Sequence, residues 1–366
     1  MTVSRLVGSM ASQVDMDPSS ASVTLSSIQS ALNDIQPFIH RTPVITSSTI
    51  DCLCHMNILM KCENFQKVGA FKIRGATYAI HSILSRGINP VDLTVVTHSS
   101  GNHAQALALA ARQMGVRCHV VMPLNAPSVK KEAVQGYGAV VTFCEGTQAA
   151  REETSKLVMK EEVLRAGGSG VVEFVSPYND TRIVTGQGTI AVELLSQATD
   201  MHKPLDILVT PVGGGGMLAG CSLAAKALNP SIQVIGAEPL GADDAYRSFH
   251  TGSLQPSTNP MTIADGLRTS LGSITYPIIM KFVDSICTVS DEGIIRAMRL
   301  VYERVKVVIE PSAAVPLAVV LYSEEFKVIA KTVEEGVGRK PNVGIVFSGG
   351  NVELDKVLAL FASLDK

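Results

Sequence analysis

Residues 206–220, DILVTPVGGGGMLAG, pass from a β-branched apolar run through four glycines into an apolar stretch that reads as a helix to Ala227. Strand, loop and helix in that order form the unit of a parallel sheet, whose ligands bind at the carboxyl ends of the strands. Four residues without Cβ let successive amides curl around an oxyanion, and the helix that follows offers it unpaired N–H groups. The plain alternative is an ordinary strand-to-helix turn. No Lys-Ser/Thr pair follows the glycines, so a Walker-type loop fails, and the G-x-G-x-x-G spacing of a dinucleotide fold is absent. Any phosphate held here belongs to another kind of ligand.

The same rhythm extends in both directions. LTVVT (93–97), ALALAARQMG (106–115), VRCHVVMP (116–123), the polar helix around SVKKEAVQGYG, AVVTFCE, a charged helix from Thr147 to about Ala166 and VVEFVS (171–176) form one series. IQVIGAEP and NVGIVFSGGN (342–351) continue the second. Two mostly parallel sheets covered by helices are expected: an α/β chain of two doubly wound domains. A small domain at 94–171 is expected inside a large one made of 25–93 and 172–366, after a disordered tail over 1–24. That tail is rich in Ser and Ala and lacks the apolar core of a secretory signal; a transit peptide is the weaker alternative, since Asp15 and Asp17 and a single arginine, Arg5, speak against it.

Thirty-one Lys+Arg against 33 Asp+Glu leave no bulk positive field for nucleic acid or an anionic membrane, and no apolar run is long enough to span a bilayer. Small molecules are the expected partners. An odd count of seven cysteines speaks against a disulfide framework and for a reducing, cytoplasmic compartment. Cys52, Cys54 and His55 lie close together, but no second ligand pair follows, so buried thiols are the preferred reading over a metal site.

In KCENFQKVGAFKIRGA (61–76), Lys72 stands between Phe71 and Arg74 with glycines on either side. A lone lysine is ordinarily a surface charge. Beside a phosphate cradle it suits pyridoxal phosphate, whose aldehyde condenses with a lysine amine. Desolvation against Phe71 and repulsion from Arg74 are both expected to lower its pKa.

Eight motifs occur in order: NFQKVGAFKIRGA, VTHSSGNHAQALA, TGQGTIAVE, PVGGGGMLAG, GAEPLGADD, TIADGLR, IEPSAA and FSGGNV. Together they resemble the fold-type II pyridoxal-phosphate enzymes (the tryptophan synthase β-like fold), and within them the serine racemase and serine/threonine dehydratase family. The resemblance covers nearly everything after about residue 25. It implies that Lys72 is the Schiff-base lysine, that Gly213, Gly214, Gly215, Gly216 and Met217 cradle the phosphate, that Asn102 meets the cofactor's phenolic oxygen, that Phe71 packs beside the ring and that Ser348 faces the pyridine nitrogen. A neutral hydroxyl there makes the ring a weaker electron sink than an Asp would, which favours expulsion of a β-substituent.

Ser99, Ser100, Gly101, Asn102 and His103 open a helix, and their amides are expected to hold the substrate carboxylate. His103 is read as a structural histidine. Racemisation needs an acid/base on each face of a planar carbanion, and the resemblance places Ser100 opposite Lys72. A helix N-terminal serine is its plain alternative, and hydroxyaspartate dehydratases also have a serine here. Glu238, Ala242 and Asp244 match the family's divalent-cation site, with hard oxygen ligands for Mg²⁺ or Ca²⁺; alone they would read as a solvated acidic loop.

Lys67, Ser47, Ser48 and Thr49 are compatible with nucleotide phosphates such as those of ATP. Val68 and Ala70 replace the Thr and Ser of the nucleotide-binding animal racemases. Tyr178 occupies a position that varies with substrate preference. The regulatory module of biosynthetic threonine deaminases is not expected after FSGGNV. Apolar helix faces at Ile294 to Val307 and at 313–321 suit a homodimer surface or core packing. The expected activity is serine racemisation together with L-serine and L-threonine dehydration. Hydroxyaspartate or plain serine/threonine dehydration is the nearest alternative, and a β-replacement synthase or a non-catalytic pyridoxal-phosphate protein lies further off.

Overall fold

A computed structural model describes residues 23–99, 101–126, 128–167 and 170–364. In chain order its strands are β1 (Val44–Ile45), β2 (Asn57–Cys62), β3 (Leu93–His98), β4 (Arg117–Pro123), β5 (Val140–Cys144), β6 (Val171–Phe174), β7 (Ile207–Pro211), β8 (Gln233–Pro239), β9 (Ser285–Val289) and β10 (Asn342–Phe347). The helices are α1 (Leu25–Ile35), α2 (Ser48–Cys54), α3 (Lys72–Leu84), α4 (Asn102–Met114), α5 (Ser128–Gly136), α6 (Gln148–Arg165) and α7 (Thr181–Asp200), followed by α8 (Gly216–Leu228), α9 (Asp244–Thr251), α10 (Thr275–Phe282), α11 (Asp291–Leu300), α12 (Pro311–Tyr322), α13 (Glu324–Val337) and α14 (Leu354–Ser363).

Two sheets form, as the βα rhythm requires. The larger has strand order β1-β2-β10-β7-β8-β9 and the smaller β5-β4-β3-β6. Every pairing is parallel except β1 with β2. β7 and β10 are buried along their whole length, the mark of strands covered on both faces. Alternate residues divide between the two layers: Ile207, Val209, Val343 and Ile345 pack with α11 and α12, while Leu208 and Val346 pack with α7 and α8. Capping sets several helix starts. Asp180 accepts from the Arg182 amide at α7, and Thr147 accepts from the Ala150 amide at α6.

The small sheet reaches past the boundary expected at residue 171, because β6 pairs with β3 as far as Val96 opposite Phe174. α3 departs further from the expected division. Its stripe Ile73, Ala76, Ile80 and Ile83 packs into the core built on β3, β4 and α4, while Arg74 and Gly75 face α7. A Cβ on Gly186 of α7 would stand 2.6 Å from Gly75 Cα, so only glycine permits this crossing. Lys72, the first residue of α3, is thereby placed where the two cores meet.

The helix faces read as a dimer surface are interior. Ile294, Ala297, Met298 and Val301, and Ala313 to Val320, are buried in the chain's own core. A homodimer therefore draws no support from them. Among the described residues no helix is long and apolar enough to cross a membrane.

Candidate active site

Lys72 is delivered by a short ladder between two loops. β2 and β10 are parallel neighbours, so the chains leaving them run side by side. The Phe71 amide donates to Ser348 O at 3.0 Å and the Gly350 amide to Gly69 O at 2.9 Å, around a bridge between Ala70 and Gly349. Gly69 has φ +67°, and a Cβ there would lie 2.6 Å from Asn351 Oδ1. Asn351 Nδ2 also donates to Val68 O at 2.8 Å. These bonds set Ser348, itself buried, beside the root of Lys72.

Half-buried Lys72 donates from Nζ to Pro177 O at 2.8 Å, and the Phe71 ring lies 5.0 Å away. Desolvation pushes its amine down to about 8, against the opposing pull of the Glu310 carboxylate. Arg74, expected to add repulsion, does not. Its guanidinium is fully buried and faces two carboxylates, Glu63 at 2.7 and 2.9 Å and Glu193 at 2.9 and 2.8 Å, so its charge is neutralised on the far side of the helix. Lys61 completes the cluster, bonded to Glu193, Gln197 and Thr42 O, each at 2.8 Å.

The four glycines follow β7 and enter α8 at Gly216, and no side chain caps that helix. Gly215 has φ +87°. A Cβ on Gly214 would fall 2.2 Å from the Tyr178 ring, and one on Gly213 2.9 Å from Leu267 Cα. Thr275 Oγ1 pins Gly214 O at 2.8 Å. A rigid loop of bare amides ahead of an uncapped helix, with a low-pKa amine beyond the end of β2, two strands away in the same sheet, fits pyridoxal phosphate. Met217 is buried in the first turn of α8.

α4 likewise begins without a side-chain cap, at Gly101. The Gly101 amide donates to Ser99 Oγ at 3.2 Å and the Ser99 amide to Val121 O at 3.1 Å. Ser100 lies outside the described residues. His103 is buried, its Nε2 is 3.3 Å from Val175 O, and Nδ1 has no partner among the described residues. Burial, with the Lys72 charge adding to it, pushes its pKa down to about 3. A neutral, enclosed imidazole agrees with a structural role.

Asn102 Nδ2 donates to both Glu310 oxygens, at 2.9 and 3.1 Å, and its Oδ1 accepts from Asn351 at 2.9 Å. Glu310 and Asn351 were assigned no role from the sequence, although both lie in quoted motifs. An acid just before Pro311 reads as ordinary helix N-terminal chemistry, and nothing local reveals its partners. Replacing Glu310 by Gln removes the anion that raises the Lys72 pKa, so the Lys72 midpoint should fall below about 8. Measured as the pH dependence of carbamylation of Lys72 in cofactor-free protein, an unmoved or raised midpoint would show that Glu310 does not act on this amine.

Glu238 is buried near the end of β8, and its carboxylate accepts from the Ala245 and Tyr246 amides at the start of α9, at 2.9 and 2.8 Å. Asp244 Oδ2 accepts from the Leu271 amide at 3.1 Å, while Oδ1 is buried without a partner among the described residues. Desolvation raises both carboxyls, Asp244 to about 6. Ala242 is buried in the turn between them. Two carboxylates that are costly to bury, one with an unpaired oxygen, are groups that a hard cation would relieve, although among the described residues no group of three or more His, Cys, Asp or Glu is placed to hold a metal. Ser47 precedes α2, exposed Ser48 and Thr49 open it, and Lys67 lies in the turn after β2. Among the described residues none of these four side chains bonds to another.

Residues 35–337 match the family described as Pyridoxal-phosphate dependent enzyme. The chain is 46% identical to serine racemase of Dictyostelium discoideum, over 92% of this chain and 97% of that protein. It is 44% identical to the beta-hydroxyaspartate dehydratase of Paracoccus denitrificans, over 88% of this chain and 94% of that one. The structure of maize serine racemase superposes with a TM-score of 0.82 at 41% identity, covering 94% of this chain and 98% of the other.

Proposed function

The chain belongs to the pyridoxal-phosphate-dependent enzymes, and from that premise we propose that it is a serine racemase that also dehydrates L-serine and L-threonine. The observation that carries this is the Lys72 amine, lowered to about 8 by desolvation and bonded to Pro177 O, next to the Tyr178 ring that lies against Gly214. Bound there, pyridoxal phosphate supplies an aldehyde that condenses with amines and a π-system that accepts the electron pair of a broken Cα–H bond. The bare amides of Gly213 to Gly216 would hold its phosphate, and Ser348 would offer a neutral hydroxyl to its nitrogen.

The α4 amides orient the substrate carboxylate, which fixes the Cα–H bond relative to Lys72 Nζ. Lys72 Nζ takes the α-proton. Returning a proton to the same face restores the substrate, so inversion needs a donor on the other face, for which Ser100 is proposed. Loss of the β-hydroxyl competes with reprotonation and leads to a keto acid and ammonia. Ser100→Ala is expected to cut D-serine formation about 10²-fold or more while L-serine dehydration persists, in an assay of enantiomers and keto acid together. Undiminished interconversion would remove Ser100 from that role.

The Paracoccus relative gives a second reading, dehydration of threo-3-hydroxyaspartate. Turnover of L-serine, D-serine, L-threonine and that diacid, compared side by side, separates the two. Glu238, Ala242 and Asp244 are proposed to bind Mg²⁺ or Ca²⁺. EDTA should then lower the melting temperature and turnover, with recovery on adding either ion, whereas indifference would reject the site. ATP contacts by Ser47, Ser48, Thr49 and Lys67 remain a proposal on the sequence match alone. A cytoplasmic location is proposed from the free state of the cysteines.

A further inference from the structure

Glu310 stands at the end of a strap that regular secondary structure does not hold. α11 runs into a π-helical turn, Val301–Val305, after which Lys306 takes φ +67°, a left-handed conformation uncommon for a residue with a Cβ. Residues 306–310 then cross to α12 without helix or strand bonding. Bonds to other segments of the chain fix their course. Asn64 Nδ2 donates to Val308 O at 3.0 Å, Tyr302 Oη donates to Ile309 O at 3.1 Å, and the Glu310 amide donates to Gly349 O at 3.0 Å.

Tyr302 comes from within the π turn, whose wider winding changes the direction of its side chain relative to an α-helix. Its ring is half-buried and meets Phe361 of α14 edge to face, with centroids 5.4 Å apart. The phenol is thus braced by the C-terminal helix while its hydroxyl grips the carbonyl directly ahead of Glu310. Resting on the reading of Lys72 as the reactive amine, we propose that Tyr302 is a positioning residue: it holds the strap so that the Glu310 carboxylate stays on Asn102 and within reach of the Lys72 charge. The strained Lys306 and the π turn are what such a placement requires, because a continued α-helix would carry the chain past the site.

Tyr302→Phe keeps the ring on Phe361 and removes only the hydroxyl. In cofactor-free, full-length protein, the carbamylation midpoint of Lys72, read by peptide mass across a pH series, should fall by about half a pH unit, the size of one hydrogen bond's influence on a titrating neighbour. Glu310→Gln should give a larger fall, and the double variant should match Glu310→Gln alone. A lower melting temperature with an unmoved midpoint would reduce Tyr302 to a packing residue and overturn the proposal, as would additive shifts in the double variant. Because the titration needs no bound cofactor, its outcome stands apart from the cofactor assignment, which fails separately if added pyridoxal phosphate gives no lysine-bound absorbance.

Discussion

Lys72→Ala is expected to lower turnover of every substrate by at least about 10⁴-fold, because one side chain both anchors the cofactor and moves the α-proton. The loss should not come from unfolding. Lys72 is half-buried, and its one side-chain bond among the described residues, to Pro177 O, leaves an acceptor that water can reach once the side chain is gone. Added pyridoxal phosphate should still bind through the glycine loop, more weakly and without the visible band of the lysine-bound form. Borohydride treatment and peptide mapping give the decisive check. A reduced adduct on any other lysine, or a variant that keeps the absorbance of the parent, would displace Lys72 from the centre of the reaction.

The second large effect is on stability. Lys61, Glu63, Arg74 and Glu193 form a closed set of two cations and two anions, with side chains no more than 5% exposed. Such a set is weak evidence of net stabilisation, since desolvating four charges costs about as much as their attraction returns. Removing one member is different. Glu193→Ala leaves Arg74 and Lys61 sharing only Glu63 in a site closed to water, and should destabilise the protein by about 3–5 kcal/mol in urea unfolding. A loss of under about 1 kcal/mol would mean that water enters the cluster.

The cluster also sets a direction for acid sensitivity. Burial works to raise the Glu193 carboxyl, but the Arg74 and Lys61 bonds and charges outweigh it and leave the pKa below its ordinary value. A depressed carboxyl contributes stability that is present above the unfolded-state pKa of about 4.3 and is lost as pH falls through the folded value. Glu193→Gln should flatten that part of the stability profile.

Short motifs explain what could be read in advance. The Lys72 loop, the four glycines and the start of α4 each occupy a few consecutive residues at a strand end, where local chemistry and backbone freedom declare themselves. Pairings across long stretches of chain do not. Arg74 and Glu193 are 119 residues apart, and Asn102 and Glu310 are 208 apart. From the sequence Arg74 was simply a charge near Lys72, and only the packing of α3 on α7 shows that it faces the other way. The packing of α3 could not be read for the same reason: its apolar stripe identifies a buried face without naming the sheet that buries it.

One strand pairing has a bearing on how the protein is made. β10, from near the carboxyl end, lies between β2 and β7, so the large sheet is split down its middle until residues 342–347 have been synthesised. The small sheet draws its strands from one uninterrupted stretch and can assemble while the ribosome is still at work, whereas the open flanks of β2 and β7 must wait. Over that interval the nascent protein carries two long apolar edges, and its dependence on chaperones should be greatest then and end with the arrival of that last strand.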